Sequence, residues 1–213
     1  MKIVNSDSLD LAVEAIASGE LVIVPTRRWY MICADARDVA ACNRIYDGKR
    51  RPPTKALAFV VPSYPAASRL FAFNPAASKL AEEFWPGDLA MILPWSDSQV
   101  GSQHAAVGSP NALVVNETGV LGELARRSIV PIAATSANIS GSPGVVGPGP
   151  SISLPEVMEF VNISGLDVAV CIAGGICPAG EHLTMVDCTG SGATIARSGL
   201  VHDRAIAAAL AQM

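Results

Sequence analysis

The chain has 213 residues, of which 50% are hydrophobic and 16% are charged. A composition this apolar supports a sizeable core and excludes an intrinsically disordered chain. The formal net charge of −4 argues against a dominant nucleic-acid-binding surface, but a local basic patch is compatible with it. No apolar run reaches the roughly 18 residues of a membrane span, and the first ten residues lack a signal-like apolar stretch. We therefore expect a cytoplasmic protein with no membrane contact.

The five cysteines are odd in number and form no CxxC pair, so the sequence indicates neither a disulfide framework nor a zinc site. We expect all of them to be small buried hydrophobic side chains in a reducing compartment. They are Cys33, Cys42, Cys171, Cys177 and Cys188.

The first hundred residues alternate between helical patterns and short apolar runs. Ser8 precedes apolar positions at i, i+3, i+4 and i+7, which predicts a helix that Ser8 caps and Gly19 ends. Asn74 and Pro75 predict the cap and first turn of another helix. The remaining predictions are a helix at residues 39–46 and buried strands at 21–24, 56–61 and 89–93.

The second half of the chain continues this alternation. Strands are predicted at residues 112–115, 131–134, 168–172, 184–187 and 193–197, and helices at 118–127 and 202–211. The Gly/Pro-rich stretch 140–150 is either a domain linker or a lid over a site. The strands after it are too few and short for a second domain. We therefore predict one α/β domain over residues 1–213, with its core at about 8–200, and a mobile lid.

A cluster of cations follows the second predicted helix. Lys49, Arg50 and Arg51 come directly before Pro52, and Lys55 follows four residues after Arg51. Crowded cations repel one another unless an anion is near, and arginine suits bidentate contacts to phosphate oxygens. The segment therefore predicts a triphosphate site, with a solvated basic turn as the alternative.

Residues 135–141 read TSANISG and follow a predicted strand. Loops at the carboxyl ends of strands are the usual ligand positions in α/β sheets. The hydroxyls and the amide could hold a nucleotide's phosphates or base edge, with ordinary turn and cap chemistry as the alternative.

Two further segments carry aromatic side chains. Arg27, Arg28 and Trp29 follow a buried strand and either stack a base and bind an anion, or form an exposed strand end. Residues 84–87, which read FWPG, are interpreted as core and turn. The histidines His104, His182 and His202 lack ligand spacing, so we expect no metal bound by side chains alone.

Together these segments resemble the YrdC-like family of threonylcarbamoyl-AMP synthases. The family pattern runs PTxTxYG, KxRPxxKxL, WPGPxT, a strand-end arginine, TSANxSG, GG, STxxD and RxG. The match covers about residues 8–200 and includes all of TSANxSG. The other matching positions are Pro25, Thr26, Tyr30, Lys49, Arg51, Pro52, Lys55, Leu57, Trp85, Pro86, Gly87, Gly174, Gly175, Thr184, Asp187, Arg197 and Gly199.

The resemblance implies a twisted mixed α/β sheet with helices around a concave, positively charged cavity. It also implies a nucleotidyltransferase that joins ATP, bicarbonate and L-threonine into threonylcarbamoyl-AMP, releases pyrophosphate and uses Mg²⁺. Partner proteins then move the threonylcarbamoyl group to adenosine 37 of certain tRNAs, and direct RNA binding is compatible with the cavity. Some members have an added C-terminal domain, which we expect this chain to lack.

The resemblance assigns roles to individual positions. It implies that Lys49 and Arg51 are catalytic. It implies that the nucleotide is bound by Lys55, Ser136, Asn138, Ser140 and Arg197, and that the amino acid or carbamate is bound by Thr26, Arg28, Tyr30 and Thr184.

This sequence departs from the pattern mainly in the amino-acid half. Arg28 replaces a threonine, Met31 a glycine and Leu183 a serine, while Asp88 and Ala90 replace the second proline and the threonine of WPGPxT. A gap-free count places the strand-end arginine at Val114, and we expect Arg27 or Arg28 to compensate for its charge. Three hypotheses follow: a threonylcarbamoyl-AMP synthase, a paralogue that forms or handles the carbamoyl-adenylate of another amine, and a non-catalytic nucleotide- or RNA-binding domain.

Overall fold

The computed structural model describes residues 1–141 and 149–212. Ten strands form one sheet in the order β1-β8-β2-β3-β7-β4-β6-β5-β9-β10. The strands are β1 (Lys2–Val4), β2 (Leu21–Pro25), β3 (Tyr30–Asp35), β4 (Ala58–Val60), β5 (Leu89–Pro94), β6 (Asn111–Val115), β7 (Ile132–Ser136), β8 (Val168–Ile172), β9 (Thr184–Asp187) and β10 (Thr194–Arg197).

Helices fill the connections between these strands. They are α1 (Leu9–Ala17), α2 (Val39–Lys49), α3 (Tyr64–Leu70), α4 (Pro75–Phe84), α5 (Ser98–Ser102), α6 (Gly119–Arg127), α7 (Leu154–Ser164) and α8 (Asp203–Leu210). The Asn74 side chain accepts a hydrogen bond from the Ala77 backbone at 2.7 Å, which confirms the predicted cap of α4. None of the described helices is long and apolar enough to cross a membrane.

The sheet is mixed, which confirms the predicted α/β class. Strand β8 pairs in parallel with β1 and β2, whereas β3 and β7 are antiparallel to their neighbours. One hydrophobic core packs on each face of the sheet, and all five cysteines are buried as free thiols, as predicted.

Sequence patterns missed several elements and predicted others well. Strand β3 was not predicted, because Arg27 to Trp29 looked like the end of a strand, whereas they lie in the turn between two antiparallel strands. Helices α3 and α7 were also missed; each has a proline in its first turn, which is compatible with a helix. The predicted strand at 168–172 is confirmed with the same bounds.

Six neighbouring strands, from β3 to β9 in the sheet order, form the surface on which the site lies. Residues directly opposite each other on paired strands point to the same face. Met31 pairs with Ser136, Ala58 pairs with Ala134 and Leu113, and Ala90 pairs with Val115 and Met185. The register therefore aligns one small or apolar side chain after another across this face.

Candidate active site

A cleft of about 590 Å³ opens over this face of the sheet. Its floor consists of strand residues, and its walls come from the loops around Arg28, Lys49, Asn138 and His182. Among the described residues the lining includes five lysine or arginine side chains and no aspartate or glutamate. This composition suits an anionic ligand.

The cleft has two chemically different ends, which strand β6 connects. Asn111, Leu113 and Val115 alternate along β6 and all line the cleft. Asn111 and Val115 are four residues apart, so the two ends are separated by about 13 Å at about 3.3 Å per residue. We call the end near Asn111 the phosphate end; it comprises Lys49, Arg51, Lys55, Ser136, Asn138 and Ser140. We call the end near Val115 the apolar end; it comprises Arg28, Trp29, Ala90, Val115 and Leu183.

Lys49 is the last residue of α2, and its ammonium group is buried at the phosphate end. The side chain is 1% exposed, and Nζ donates to the backbone oxygens of Ser136 and Asn138, both at 2.5 Å. Asn138 Oδ1 is a third acceptor at 3.3 Å. Burial, aided by the nearby charge of Arg51, lowers the pKa of Lys49 to about 7. The ammonium therefore holds the loop after β7 and titrates near neutral pH.

The loop after β7 is held by its own side chains as well. Ser136 Oγ donates to Asn138 Oδ1 at 2.7 Å, and Asn138 Nδ2 donates to the Ile139 carbonyl at 3.0 Å. The Ser140 backbone N–H donates to the Lys49 carbonyl at 2.8 Å. These bonds fix the loop against the end of α2 and keep Ser136, Asn138 and Ser140 beside the cations.

Arg51 and Lys55 supply the remaining charge of the phosphate end. Arg51 donates from Nε to the Lys55 carbonyl at 2.8 Å and from Nη2 to the Ala56 carbonyl at 2.7 Å. Both acceptors are backbone oxygens, so the guanidinium is positioned without losing its positive charge. Within the described chain, no carboxylate forms a salt bridge with Lys49, Arg51 or Lys55.

Arg28 at the apolar end has the opposite environment. Its side chain is 1% exposed and donates to Asp88 Oδ1 at 2.8 Å and to Glu117 Oε1 at 2.5 Å. Arg27, which is largely exposed, also lies 3.4 Å from Asp88. Burial raises the pKa of Glu117, and Arg28 opposes that shift. The buried Arg28 Nε has no hydrogen-bond partner among the described residues.

Trp29, His182 and Arg197 form the rim near the apolar end. The rings of Trp29 and His182 meet edge to face, with centroids 4.9 Å apart. Arg197 donates to the Leu183 carbonyl at 3.2 Å. Partial burial first, and then the charges of Arg197 and Arg28, lower the pKa of His182, which favours its neutral imidazole.

A second cavity of about 330 Å³ lies beside the loop after β7. Asn138 lines both this cavity and the cleft, and Ile139, Phe160 and Ile163 make much of its wall apolar. The Lys49 ammonium is 5.6 Å from the centroid of the Phe160 ring. The cavity therefore adjoins the phosphate end rather than the apolar end.

The comparisons with known proteins agree with this architecture. The Sua5/YciO/YrdC family model, described as "Telomere recombination", matches residues 14–199. The chain belongs to this family. A threonylcarbamoyl-AMP synthase of Bacillus subtilis is 28% identical over 198 residues, covering 92% of this chain and 54% of that protein. A putative threonylcarbamoyl-AMP synthase of Mycobacterium tuberculosis is 31% identical over 203 residues, covering 93% of this chain and 87% of that protein.

Solved structures of the Sua5/YciO/YrdC family have the same fold as this chain. Sua5 of Pyrococcus abyssi, solved in complex with L-threonine, superposes with a TM-score of 0.78 at 29% identity and covers 93% of this chain. This chain spans 58% of that protein and 54% of the Bacillus relative, so it corresponds to little more than half the length of either.

The structure brings most of the predicted site residues into one cleft. Lys49, Arg51, Lys55, Ser136, Asn138, Ser140, Arg28 and Arg197 all line it. Their contacts with substrates stay predictions. Sequence reading missed several apolar lining residues, among them Leu113, Val115 and Met185, because their strands are continuous hydrophobic runs and only the register shows which side chains face the cleft.

Three residues predicted for the amino-acid pocket do not line the cleft. Thr26 Oγ1 donates to the Trp29 carbonyl at 2.7 Å and accepts from the Arg28 N–H, which closes the turn before β3. The buried Tyr30 hydroxyl donates to the Gly175 carbonyl at 3.0 Å. Thr184 Oγ1 donates to the Val201 carbonyl at 2.6 Å. All three hydroxyls thus hold loops near the cleft.

The gap-free count placed the family's strand-end arginine at Val114, but the side chain at this position does not face the cleft. Val114 is fully buried in the core on the opposite face, whereas Leu113 and Val115 point into the cleft. An arginine at position 114 would bury a charge in that core. Reverting Val114→Arg is therefore expected to destabilise the fold rather than restore a ligand contact.

Arg27 or Arg28 was expected to replace the positive charge of the missing strand-end arginine, but the structure pairs both with carboxylates. Asp88 and Glu117 balance the two positive charges, so together the four side chains have a formal net charge of zero.

The predicted lid at 140–150 falls mostly on residues 142–148, which lie outside the described residues.

Proposed function

We propose that this protein is a carbamoyl-adenylate synthase of the threonylcarbamoyl-AMP synthase type, which transfers the adenylyl group of ATP to a carbamate. The observation that carries the proposal is the phosphate end. There, Lys49, Arg51 and Lys55 converge with the TSAN loop, and none of them is neutralised by a carboxylate of the described chain. The names of its relatives support the same reaction class.

The reaction begins when an amine combines with bicarbonate to give a carbamate and water. A carbamate oxygen then attacks the α-phosphorus of ATP, and the bond to the β-phosphate oxygen breaks with its electron pair leaving on pyrophosphate. Negative charge spreads over the phosphoryl oxygens in the transition state, so positioned cations lower the barrier. Arg51 and Lys55 are placed for this task, and Lys49 holds the loop that borders the phosphates. Arg197, on the rim near the apolar end, would contact a phosphate from the opposite side of the cleft.

Mg²⁺ would enter with the triphosphate, whose oxygens are the ligands that it prefers. Among residues 1–141 and 149–212 no cluster of three or more His, Cys, Asp or Glu side chains forms a metal site. The cavity lined by Ile139 and Phe160 shares Asn138 with the phosphate end, so it is the proposed position of the adenosine. This arrangement leaves the apolar end of the cleft for the amine.

The amine in the Pyrococcus structure is L-threonine. If L-threonine is also the amine here, the product is threonylcarbamoyl-AMP, and its natural acceptor would be tRNA together with tRNA-modifying proteins. The departures from the family pattern favour a second candidate, in which the same chemistry uses another amine. They cluster at the apolar end, where Ala90 and Leu183 now stand beside Arg28.

Pyrophosphate release from ATP, bicarbonate and a panel of amino acids tests the proposed function. We expect release that depends on both bicarbonate and an amine, and that Arg51→Ala slows strongly. Arg50→Gly is the matched control, because Arg50 is exposed, lies outside the cleft lining and has φ 52°, which glycine adopts freely. ATP binding without release under any condition would instead identify a non-catalytic nucleotide-binding domain.

A further inference from the structure

The floor of the apolar end offers no hydroxyl, amide or carboxylate to a substrate. The side chains that form it are Ala90, Val115 and Met185. They face the cleft together because Ala90 pairs directly with Val115 on one neighbouring strand and with Met185 on the other. Leu183 and Trp29 close the side, both less than a tenth exposed.

A hydroxyl placed against this floor would lose its water without gaining a partner. Burying an unpaired hydroxyl is unfavourable, whereas a methyl group in the same position gains from burial. Apart from Trp29, His182 and Arg197 at the rim, Arg28 is the one polar side chain that the described residues bring to this end. An aliphatic side chain therefore fits the floor better than the hydroxylated side chain of L-threonine.

Arg28 provides an anchor of defined chemistry at the same end. Glu117 follows Val115 by two residues and Asp88 precedes Ala90 by two, so the two carboxylates fix the guanidinium beside the Ala90–Val115 pair. Two nitrogens of the guanidinium are occupied by these carboxylates, and Nε has no partner among the described residues. A buried donor without a partner is costly, and a ligand oxygen would satisfy it.

The charges around this end select for a single negative charge on the ligand. Arg27, Arg28 and Arg197 carry three positive charges, and Asp88 and Glu117 carry two negative ones, which leaves a formal surplus of one positive charge. A monocarboxylate balances this surplus. An α-amino acid has such a carboxylate next to its amine, where it could accept from Arg28 Nε while the side chain lies on the floor.

We propose that the apolar end takes an aliphatic α-amino acid and prefers L-valine to L-threonine. This inference rests on the proposed function and specifies its amine. The two amino acids have nearly the same shape and differ by a methyl group in place of a hydroxyl, so they isolate the chemistry of the floor. Apolar pockets separate such a pair by about a hundredfold at most. We expect kcat/KM for pyrophosphate release to be about tenfold higher with L-valine.

Two variants at Ala90 provide a matched test of the floor. Ala90→Thr adds a hydroxyl in a β-branched side chain, and Ala90→Val adds the same volume without it. We expect Ala90→Thr to shift the valine-to-threonine ratio of kcat/KM toward threonine by about tenfold relative to Ala90→Val. Because the readout is a ratio within each variant, a general loss of activity from the added volume does not affect it. If neither variant folds, the wild-type comparison of the two amino acids decides alone.

The carboxylate anchor is tested with 2-methylpropan-1-amine, which is L-valine without its carboxylate. We expect at least a tenfold lower kcat/KM for this amine, because it leaves Arg28 Nε unpaired. Equal use of the two would overturn the carboxylate assignment. Exclusive use of L-threonine would overturn the preference while leaving the proposed function intact, and no release with any amine would overturn the proposed function itself.

Discussion

The two ends of the cleft both contain buried cations, but only one end leaves their charge available to a ligand. At the phosphate end, Lys49 and Arg51 donate to backbone carbonyl oxygens, which position them and leave their positive charge in place. At the apolar end, Arg28 donates to two carboxylates, which position it and cancel its charge. Counting cations in a sequence therefore does not measure how strongly a site attracts an anion.

The difference also separates the roles of the two ends. Free charge beside a hydroxyl-rich loop suits a triphosphate, for which long-range attraction matters. A neutralised arginine beside an apolar floor suits a smaller molecule that is recognised by shape and a single hydrogen bond.

The largest expected effect is on stability, at the apolar end. Arg28→Leu leaves Asp88 and Glu117 buried without their main partner, so we expect a loss of about 3–5 kcal/mol in the free energy of unfolding. Arg27→Leu is the matched control, because Arg27 contacts the same Asp88 from an exposed position and should cost less than about 1 kcal/mol. Urea denaturation measures both. Similar losses for the two variants would show that Arg28 is not the buried centre of the network.

The second effect is on nucleotide binding at the phosphate end. Arg51→Ala removes a half-buried charge from the cleft, and we expect ATP affinity to fall by about 2 kcal/mol or more, about 30-fold. Arg50→Gly removes an exposed positive charge between Lys49 and Arg51 that does not line the cleft, and it should change affinity by less than about 0.5 kcal/mol. Calorimetry of ATP binding distinguishes them. Unchanged affinity in Arg51→Ala would remove its phosphate role.

The smallest effect is the pH dependence of ATP binding through Lys49. Burial lowers its pKa from the ordinary 10.5 to about 7, so the ammonium is present below pH 7 and is lost as the pH rises through 7. If the ammonium favours the triphosphate, ATP affinity should weaken by about tenfold between pH 6 and pH 8. ATP binding at pH 8 should then take up a proton, which calorimetry in buffers of different ionisation enthalpy detects.

Lys49→Arg is the control for this titration, because an arginine keeps its charge across the same range. Any pH dependence that remains in that variant belongs to ATP or to other groups. An identical pH profile in wild type and Lys49→Arg would contradict the assignment to Lys49.

The fold class, and the residue types of the two segments that meet at the phosphate end, could be predicted from the amino-acid sequence. Apolar runs of four to six residues separated by helical patterns are sufficient to predict an α/β sheet, since strands buried on both faces are continuously hydrophobic. The residues of each segment alone also fitted an ordinary turn, and only the resemblance to the YrdC-like family joined Lys49, Arg51 and TSANISG into one predicted nucleotide site. That resemblance is confirmed by the family match.

Which side chains face the cleft, and which charges stay available there, could be read from the folded structure alone. A strand's side chains alternate between faces, so an error of one residue exchanges core and cleft, as it did for Val114 and Val115. The partners of Arg28 are 60 and 89 residues away along the chain, and no local pattern indicates such contacts. Thr26, Tyr30 and Thr184 have hydroxyls that sequence reading could assign to a ligand, but folding commits them to the backbone of neighbouring loops, because buried hydroxyls take the nearest acceptor available.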